Sequence, residues 1–386
     1  MGNRHAAAVA FRLFIVAPSA LFSDHLPHGD GLAAFGHVSE RARRGHELHV
    51  AAGPVAFERE LPPNVHVHSL GEVGRPRFMW ELRRLFRRLA GERRFDLAHQ
   101  LNPVDVGVSL ALTGDHTPLV LGPYYSDWAP SGPGADARVG PFKLRAKRVI
   151  RAAQQRRAAM LLLSTPAATA NVESGQARVR ELPHGIDDSV WRPSSPPPAA
   201  QTVLFLANLE VRKGIHVLLD AFEALAPRLP DARLQVAGDG PESDAVRRRI
   251  RESPALARVE LLGRVDRERV LALMQSCDVY CLPSYGEPFG ISALEAMACA
   301  RPVVATAAGG LQHLVPDAGG RKVPPGDAAA LADALAELLG DAELRRAMGA
   351  HNRQVVEERF AWPRVGDRLE ELYEEAIAAE RDDAAS

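Results

Sequence analysis

The chain has little cysteine, no surplus of charge of either sign and no long apolar run, and each lack removes a class of function. Three cysteines in 386 residues, Cys277, Cys281 and Cys299, are too few for a disulfide framework. Their neighbours Val279, Tyr280, Leu282 and Met297 read as core, so buried thiols of a reducing compartment are expected, with metal binding a remote alternative. A formal net charge of −1 gives no chain-wide reason to expect nucleic acid as a partner. Nothing approaches the roughly eighteen apolar residues of a membrane span. The apolar stretch from Ala6 to Ala17 is short, broken by Arg12 and followed by Pro18, which suits a buried first strand better than a secretory signal. A cytoplasmic location is the expectation that follows.

What is present is a soluble globular composition, 46% apolar and 25% charged, over a length that suggests two domains. Short apolar runs bounded by turn residues alternate with amphipathic stretches, the pattern of βα units and parallel sheets. In the first half the candidate strands start at Phe11, Glu47, Val65, Asp96, Pro118 and Ala159; in the second half they start at Val203, Arg233, Val259, Val279 and Pro302. Between the halves, "WRPSSPPPAAQT" carries four prolines, which extend neither a helix nor a sheet interior. The expected organisation is therefore a domain over 1–190, a linker over 191–202, a second doubly wound domain over 203–360 and a helix over 361–386 that crosses back to the first domain. Val365, Leu369, Leu372, Tyr373 and Ile377 stand at helical spacing in that tail. Ligands of such sheets bind beyond the carboxyl ends of the strands, which places a ligand in the cleft between the two.

Two first-half stretches, Arg75–Arg94 and Arg138–Arg157, are strongly basic with helix-like apolar spacing. They read either as solvated helix faces or as a surface for anionic lipid or an acidic acceptor, which would make the protein peripheral to a membrane.

The stretch "GEPFGISALEA", Gly286–Ala296, follows a strand and leads into a helix. Gly286 and Gly290 let backbone approach a ligand, and unpaired amides at a helix start near Ile291 suit a phosphate. Glu287 and Glu295 would repel phosphate on contact, so they suit sugar hydroxyls on either side of it, or else serve as an ordinary loop acid and a helix-start charge. Arg212 and Lys213, ahead of Gly214 and an amphipathic helix, supply positive charge able to neutralise a diphosphate without a metal ion. Gly29 and Gly31, in "PHGDGLAAF", form a loop able to approach a ligand from the first domain, but without a full dinucleotide fingerprint.

In combination, "EPFGISALEA", "VRKG", "AGDGPE", "HGIDDSVWRP" and "RPVVATAAGG" resemble the retaining GT-B glycosyltransferases of family 4. That resemblance implies an α/β GT-B fold, with two doubly wound Rossmann-like domains facing across a cleft. It implies that Glu295 binds the nucleotide ribose, that Glu287 faces the donor sugar, and that the backbone of Phe289, Gly290 and Ile291 lies along the donor. Arg212 and Lys213 would neutralise the diphosphate, Gly263 and Arg264 would line the base pocket, and Gly31 would lie near the donor phosphates and the acceptor. Similar enzymes take nucleoside diphosphate sugars, most often UDP-sugars such as UDP-GlcNAc or UDP-glucose. They need no metal and no cofactor.

Three positions depart from the family pattern. Ala207 and Asn208 replace the usual Gly-Arg, which leaves Asn208 in the donor site and asks Arg212 to compensate. Pro123 or Tyr124 stands where many relatives carry a histidine, while His116, before that strand, reads as a surface or strand-edge residue. His313 replaces a usual glutamate. A catalytically silent nucleotide-sugar-binding module and a nucleotide-sugar epimerase of the same shape are the alternatives to a transferase.

Overall fold

The protein is described here from a computed structural model that covers residues 10–17, 21–25, 29–103, 106–112, 116–126, 141–173, 178–194 and 201–385. The first half builds a parallel sheet from β1 (Arg12–Ala17), β3 (Glu47–Ala52), β5 (Val65–Ser69), β6 (Leu97–Gln100), β7 (Leu119–Tyr124), β8 (Met160–Leu163) and β9 (Val179–Glu181). A two-stranded ribbon, β2 (Phe22–Ser23) with β4 (Val55–Ala56), lies apart from it. The spatial order is β5-β3-β1-β6-β7-β8-β9, so the chain reverses direction across the sheet beside β1.

Strand β1 explains why the sequence shows an unbroken apolar run rather than alternation. Leu13 and Ile15 pack on one face of the sheet and Phe14 and Val16 on the other, and both faces are covered. Helix α1 (Gly29–Arg43) lies on the first face, and α2 (Arg75–Glu92) covers the second with Leu82, Leu85, Phe86 and Leu89. Helix α3 (Pro141–Arg156) joins β7 to β8.

The second half repeats the plan with β10 (Thr202–Leu206), β11 (Arg233–Ala237), β12 (Val259–Gly263), β13 (Val279–Leu282), β14 (Val303–Thr306) and β15 (Gly320–Val323), in the order β12-β11-β10-β13-β14-β15. Its helices are α4 (Ile215–Leu225), α5 (Ser243–Glu252), α6 (Arg267–Ser276), α7 (Ile291–Ala298), the single turn α8 (Leu311–Leu314), α9 (Ala328–Gly340) and α10 (Ala342–Val355). One apolar core holds this half together, and Cys277, Cys281 and Cys299 lie within it as free thiols whose pKa values burial pushes up.

The last helix, α11 (Trp362–Ala385), packs on the first domain. Val365, Leu369, Leu372 and Tyr373 share a core with Leu13 and Ile15, and Ile377 packs against it partly buried. Arg41 Nε donates to the Tyr373 hydroxyl at 2.7 Å, and that hydroxyl lies 2.6 Å from His99 Nδ1. The chain crosses between domains twice, side by side: Ile186 N–H donates to the Phe360 carbonyl at 2.8 Å and Trp362 N–H to the Ile186 carbonyl at 3.0 Å.

Three details differ from the sequence reading. Strands β9 and β15 were not expected, because Arg180, Glu181, Arg321 and Lys322 make these short strands too polar to stand out as apolar runs. The proline-rich stretch is not a free linker at its described ends. Trp191 is 2% exposed within the second core, Ser194 Oγ donates to the Gln275 carbonyl at 2.9 Å, and Thr202 already belongs to β10. Helix α1 begins at Gly29, so Gly31 sits in its first turn rather than in a loop; a Cβ there would fall 2.2 Å from the Leu21 carbonyl oxygen.

Candidate active site

In the second sheet the switch point lies between β10 and β13, which carry the first and fourth positions of that domain and pair in parallel. The loops that leave their carboxyl ends are Ala207–Gly214 and Pro283–Gly290. Both run from a buried apolar strand into a helix, and they are fastened to each other. Tyr285 N–H and Ser284 Oγ donate to the Arg212 carbonyl at 2.9 and 3.0 Å. Gly214 takes φ +75°, and a Cβ there would fall 1.9 Å from the Pro283 carbonyl oxygen, so only glycine lets the turn lie this close.

This fastening brings together two side chains that are 74 positions apart: Lys213 Nζ lies 2.7 Å from Glu287 Oε2. The pair is largely buried, with 13% and 11% of the side chains exposed. Arg212 turns to Glu210 through its Nε. The Glu287 backbone is held from below, its carbonyl accepting the Gly310 N–H at 2.6 Å. Gly290, with left-handed backbone, precedes α7, and Ile291 opens that helix with its amide at the positive end.

Glu295 lies one turn into α7, half-buried, and burial pushes its pKa up to about 7 against the pull of Arg267. Tyr280 of β13 lies near both acids. Its hydroxyl donates to Ser292 Oγ at 2.7 Å, and burial, reinforced by Glu287 and Glu295, raises its pKa well above the ordinary tyrosine value. Gly263 ends β12 and accepts the Gly238 N–H at 2.8 Å; Arg264 beside it is exposed, near Asp239. Asn208 and His313 are exposed. Lys213, Glu287, Gly290, Ile291 and Glu295 thus cluster about β10 and β13, and Gly263 and Arg264 sit at the carboxyl end of β12, two strands from β10. Gly31 belongs to the other domain.

Phe289 has a second duty that sequence reasoning missed. Its side chain, 3% exposed, packs on Phe360 and across to Tyr125 and His184, with ring centroids 6.4, 6.3 and 5.7 Å away. Ser126 Oγ, just past β7, donates to the Pro288 carbonyl at 3.1 Å. The carboxyl ends of the two sheets therefore face one another at this loop. His184 belongs to the quoted "HGIDD" motif, but only tertiary contact shows that burial drives its pKa down to about 4 and keeps it neutral. Tyr124 is buried, and burial pushes its phenol up to about 12; His116 is exposed.

Among the described residues the one His/Cys/Asp/Glu group with metal-ligand spacing is Glu47, His49 and His66, near the amino ends of β3 and β5, away from the cleft. Arg12 already places its guanidinium there, 3.0 Å from Glu47 Oε1 and 3.2 Å from His49 Nε2. A fixed positive charge between the ligands works against a second cation.

Comparison with known proteins places the second domain. Residues 189–355 match the family model described as glycosyl transferases group 1. The chain is 37% identical over 201 residues to the phosphatidyl-myo-inositol mannosyltransferase of Mycobacterium leprae, which covers 50% of this chain and 53% of that protein. At this level of identity the chain spans about half the length of the curated relatives it matches. Against the protein of the same name from Mycolicibacterium smegmatis the identity is 29% over 350 residues, 87% of each chain. Among solved structures, sucrose-phosphate synthase from Thermosynechococcus elongatus superposes with a TM-score of 0.76 at 21% identity, over 96% of this chain and 100% of that one. The fold is thereby GT-B.

Proposed function

We propose that this chain, whose residues 189–355 match the family model of glycosyl transferases group 1, moves a hexose-type sugar from a nucleoside diphosphate sugar to an acceptor hydroxyl with retention of configuration. The observation that carries the reading is the Lys213–Glu287 pair at the switch point of the second sheet, directly ahead of the α7 amides. A diphosphate laid along those amides meets Lys213 on one side, and its two attached sugars meet Glu287 and Glu295. Glu287 faces the transferred sugar, and Glu295 accepts hydrogen bonds from the ribose. The base lies toward Gly263 and Arg264, with a UDP-sugar such as UDP-GlcNAc or UDP-glucose as the proposed donor.

In the chemical step the bond between the anomeric carbon and the diphosphate oxygen breaks, and the acceptor oxygen bonds to that carbon from the same face. The acceptor's proton passes to the departing phosphate oxygen. Lys213 and Arg212 stabilise the charge that grows on the diphosphate, and a charge met only in the transition state is what raises turnover. This side-chain charge gives the step a metal-independent route. The acceptor lies against the carboxyl ends of the first sheet, reached across the Tyr125–Ser126 and Pro288–Phe289 contact.

The reading is tested by thermal stabilisation with UDP-, GDP- and dTDP-sugars in the presence of a chelator, followed by assay of nucleotide release. A ligand at about a hundred times its dissociation constant adds about 2.7 kcal/mol. Stabilisation by one nucleotide sugar with slow release of its nucleotide is expected. Stabilisation without any turnover would mark a silent binding module, and a product still attached to its nucleotide would mark an epimerase.

A further inference from the structure

We infer that the α2–α3 face of the first domain is a docking surface for an anionic lipid bilayer. Such a surface does not depend on the reaction proposed above. The chain as a whole is nearly neutral, yet the segments Arg75–Glu92 and Pro141–Arg156 together carry twelve lysines and arginines against two acids. On the opposite face of the same domain α11 carries eight acids against three arginines. A domain polarised in this way orients itself on a negative surface, basic face inward, before any contact forms.

Charge alone would fit any acidic macromolecule; the apolar side chains select the bilayer. Among the described residues the large apolar side chains most exposed to water are Trp80, Leu144, Val149, Ile150 and Val190, and the first four stand on these two helices. Trp80 is 58% and Val149 60% exposed. The stretch from Leu144 to Ile150 is exposed at every position, so this half of α3 presents arginine, lysine and aliphatic side chains to water on all sides. The two helices meet near Gly107, where a Cβ would lie 2.8 Å from Ile150 of α3 and 3.9 Å from Arg75 of α2, and so they form one surface. Basic side chains around exposed tryptophan and aliphatic groups match a headgroup layer, which takes the charges at its surface and the apolar groups just below it. The patch also has a useful location. Helix α3 leads away from the carboxyl end of β7, the end where Tyr125 and Ser126 meet the second domain, so a docked membrane would lie beside the mouth of the cleft.

The test is co-sedimentation of the full chain with vesicles, with no substrate present. Vesicles containing about 30% phosphatidylglycerol should bind the protein about a hundredfold more strongly than pure phosphatidylcholine, and added salt should weaken the binding. Tryptophan emission should shift to the blue on binding, and Trp80→Ala should abolish the shift. Two variants separate the contributions: Arg84→Glu/Arg87→Glu/Arg145→Glu/Lys147→Glu reverses charge, and Trp80→Ala/Val149→Ser removes apolar contact. All six positions are exposed, so both variants should melt as the parent does. Each should lose at least about tenfold in vesicle binding. Equal binding to neutral and anionic vesicles, or none to either, would overturn the inference. Binding that falls with the charge reversals and ignores Trp80→Ala/Val149→Ser would also overturn it, in favour of an acidic protein or nucleic acid as the partner.

Discussion

Lys213→Ala removes an ammonium that lies 2.7 Å from the Glu287 carboxylate in a pair with only 13% and 11% of its side chains exposed. Two separate losses should follow. The first is stability, because the Glu287 carboxyl is left in a largely dry place without its partner. Breaking a fully buried pair from one side costs about 3 to 5 kcal/mol, and the opening of this one toward the cleft lowers the expected loss to roughly 2 to 3. The second is turnover, because the departing diphosphate loses a charge that stabilises it, typically about 3 to 4 kcal/mol or a hundred- to a thousandfold in kcat. Lys213→Ala/Glu287→Gln distinguishes the two. Neutralising the stranded carboxylate should return most of the stability, read from urea denaturation, and none of the turnover, read as nucleotide release at saturating donor. If kcat of Lys213→Ala stays within about threefold of the parent, or if the double variant regains it, Lys213 does not act on the leaving group.

The remaining expectations concern pH, packing and the return of α11. Glu295 binds its proton more tightly when folded, up to about pH 7 against an ordinary 4.5, so its contribution to stability is largest in acid and falls as pH rises through that window. Glu295→Gln should flatten that part of the pH–stability curve, and an unchanged curve would remove the cause. Because ribose hydroxyls favour the ionised carboxylate, nucleotide affinity by calorimetry should rise with pH through the same range and cease to do so in Glu295→Gln. Phe289→Ala empties a buried aromatic site shared by both domains and should cost about 3 to 4 kcal/mol in denaturant unfolding; a loss below about 1 would contradict the packing. Tyr373→Phe leaves Arg41 Nε and His99 Nδ1 without their shared hydroxyl and should cost about 1 to 3 kcal/mol. A melting point equal to the parent's would show that this network does not hold α11 in place.

The parts of this fold that were legible in the sequence are those where local chemistry and tertiary demand agree. Strand β13 is a run of buried apolar residues ended by Pro283, and α7 starts at Ile291 directly after Gly290, so both ends of the central loop could be read from residue type. The same holds for α4, which begins after Gly214. Edge strands were harder to read, because one side of an edge strand faces water and needs no apolar run; β15, with Arg321 and Lys322 at its middle, is such a case. Trp191 was taken with the prolines that follow it, yet it anchors the second core, and nothing in its neighbours signals that burial. The two glutamates could be named from their spacing, but the partner of Glu287 could not. Lys213 reaches it only because parallel pairing sets β10 beside β13, a register that no window of sequence contains.

A crystal structure of the protein with an intact nucleoside diphosphate sugar tests the central claim most directly. The account predicts the diphosphate over the α7 amides with Lys213 Nζ about 3 Å from a phosphate oxygen, and the Glu295 carboxylate on the ribose hydroxyls. A nucleotide seated at the carboxyl end of the first sheet, with Lys213 still paired to Glu287 and Glu295 turned to water, would contradict it.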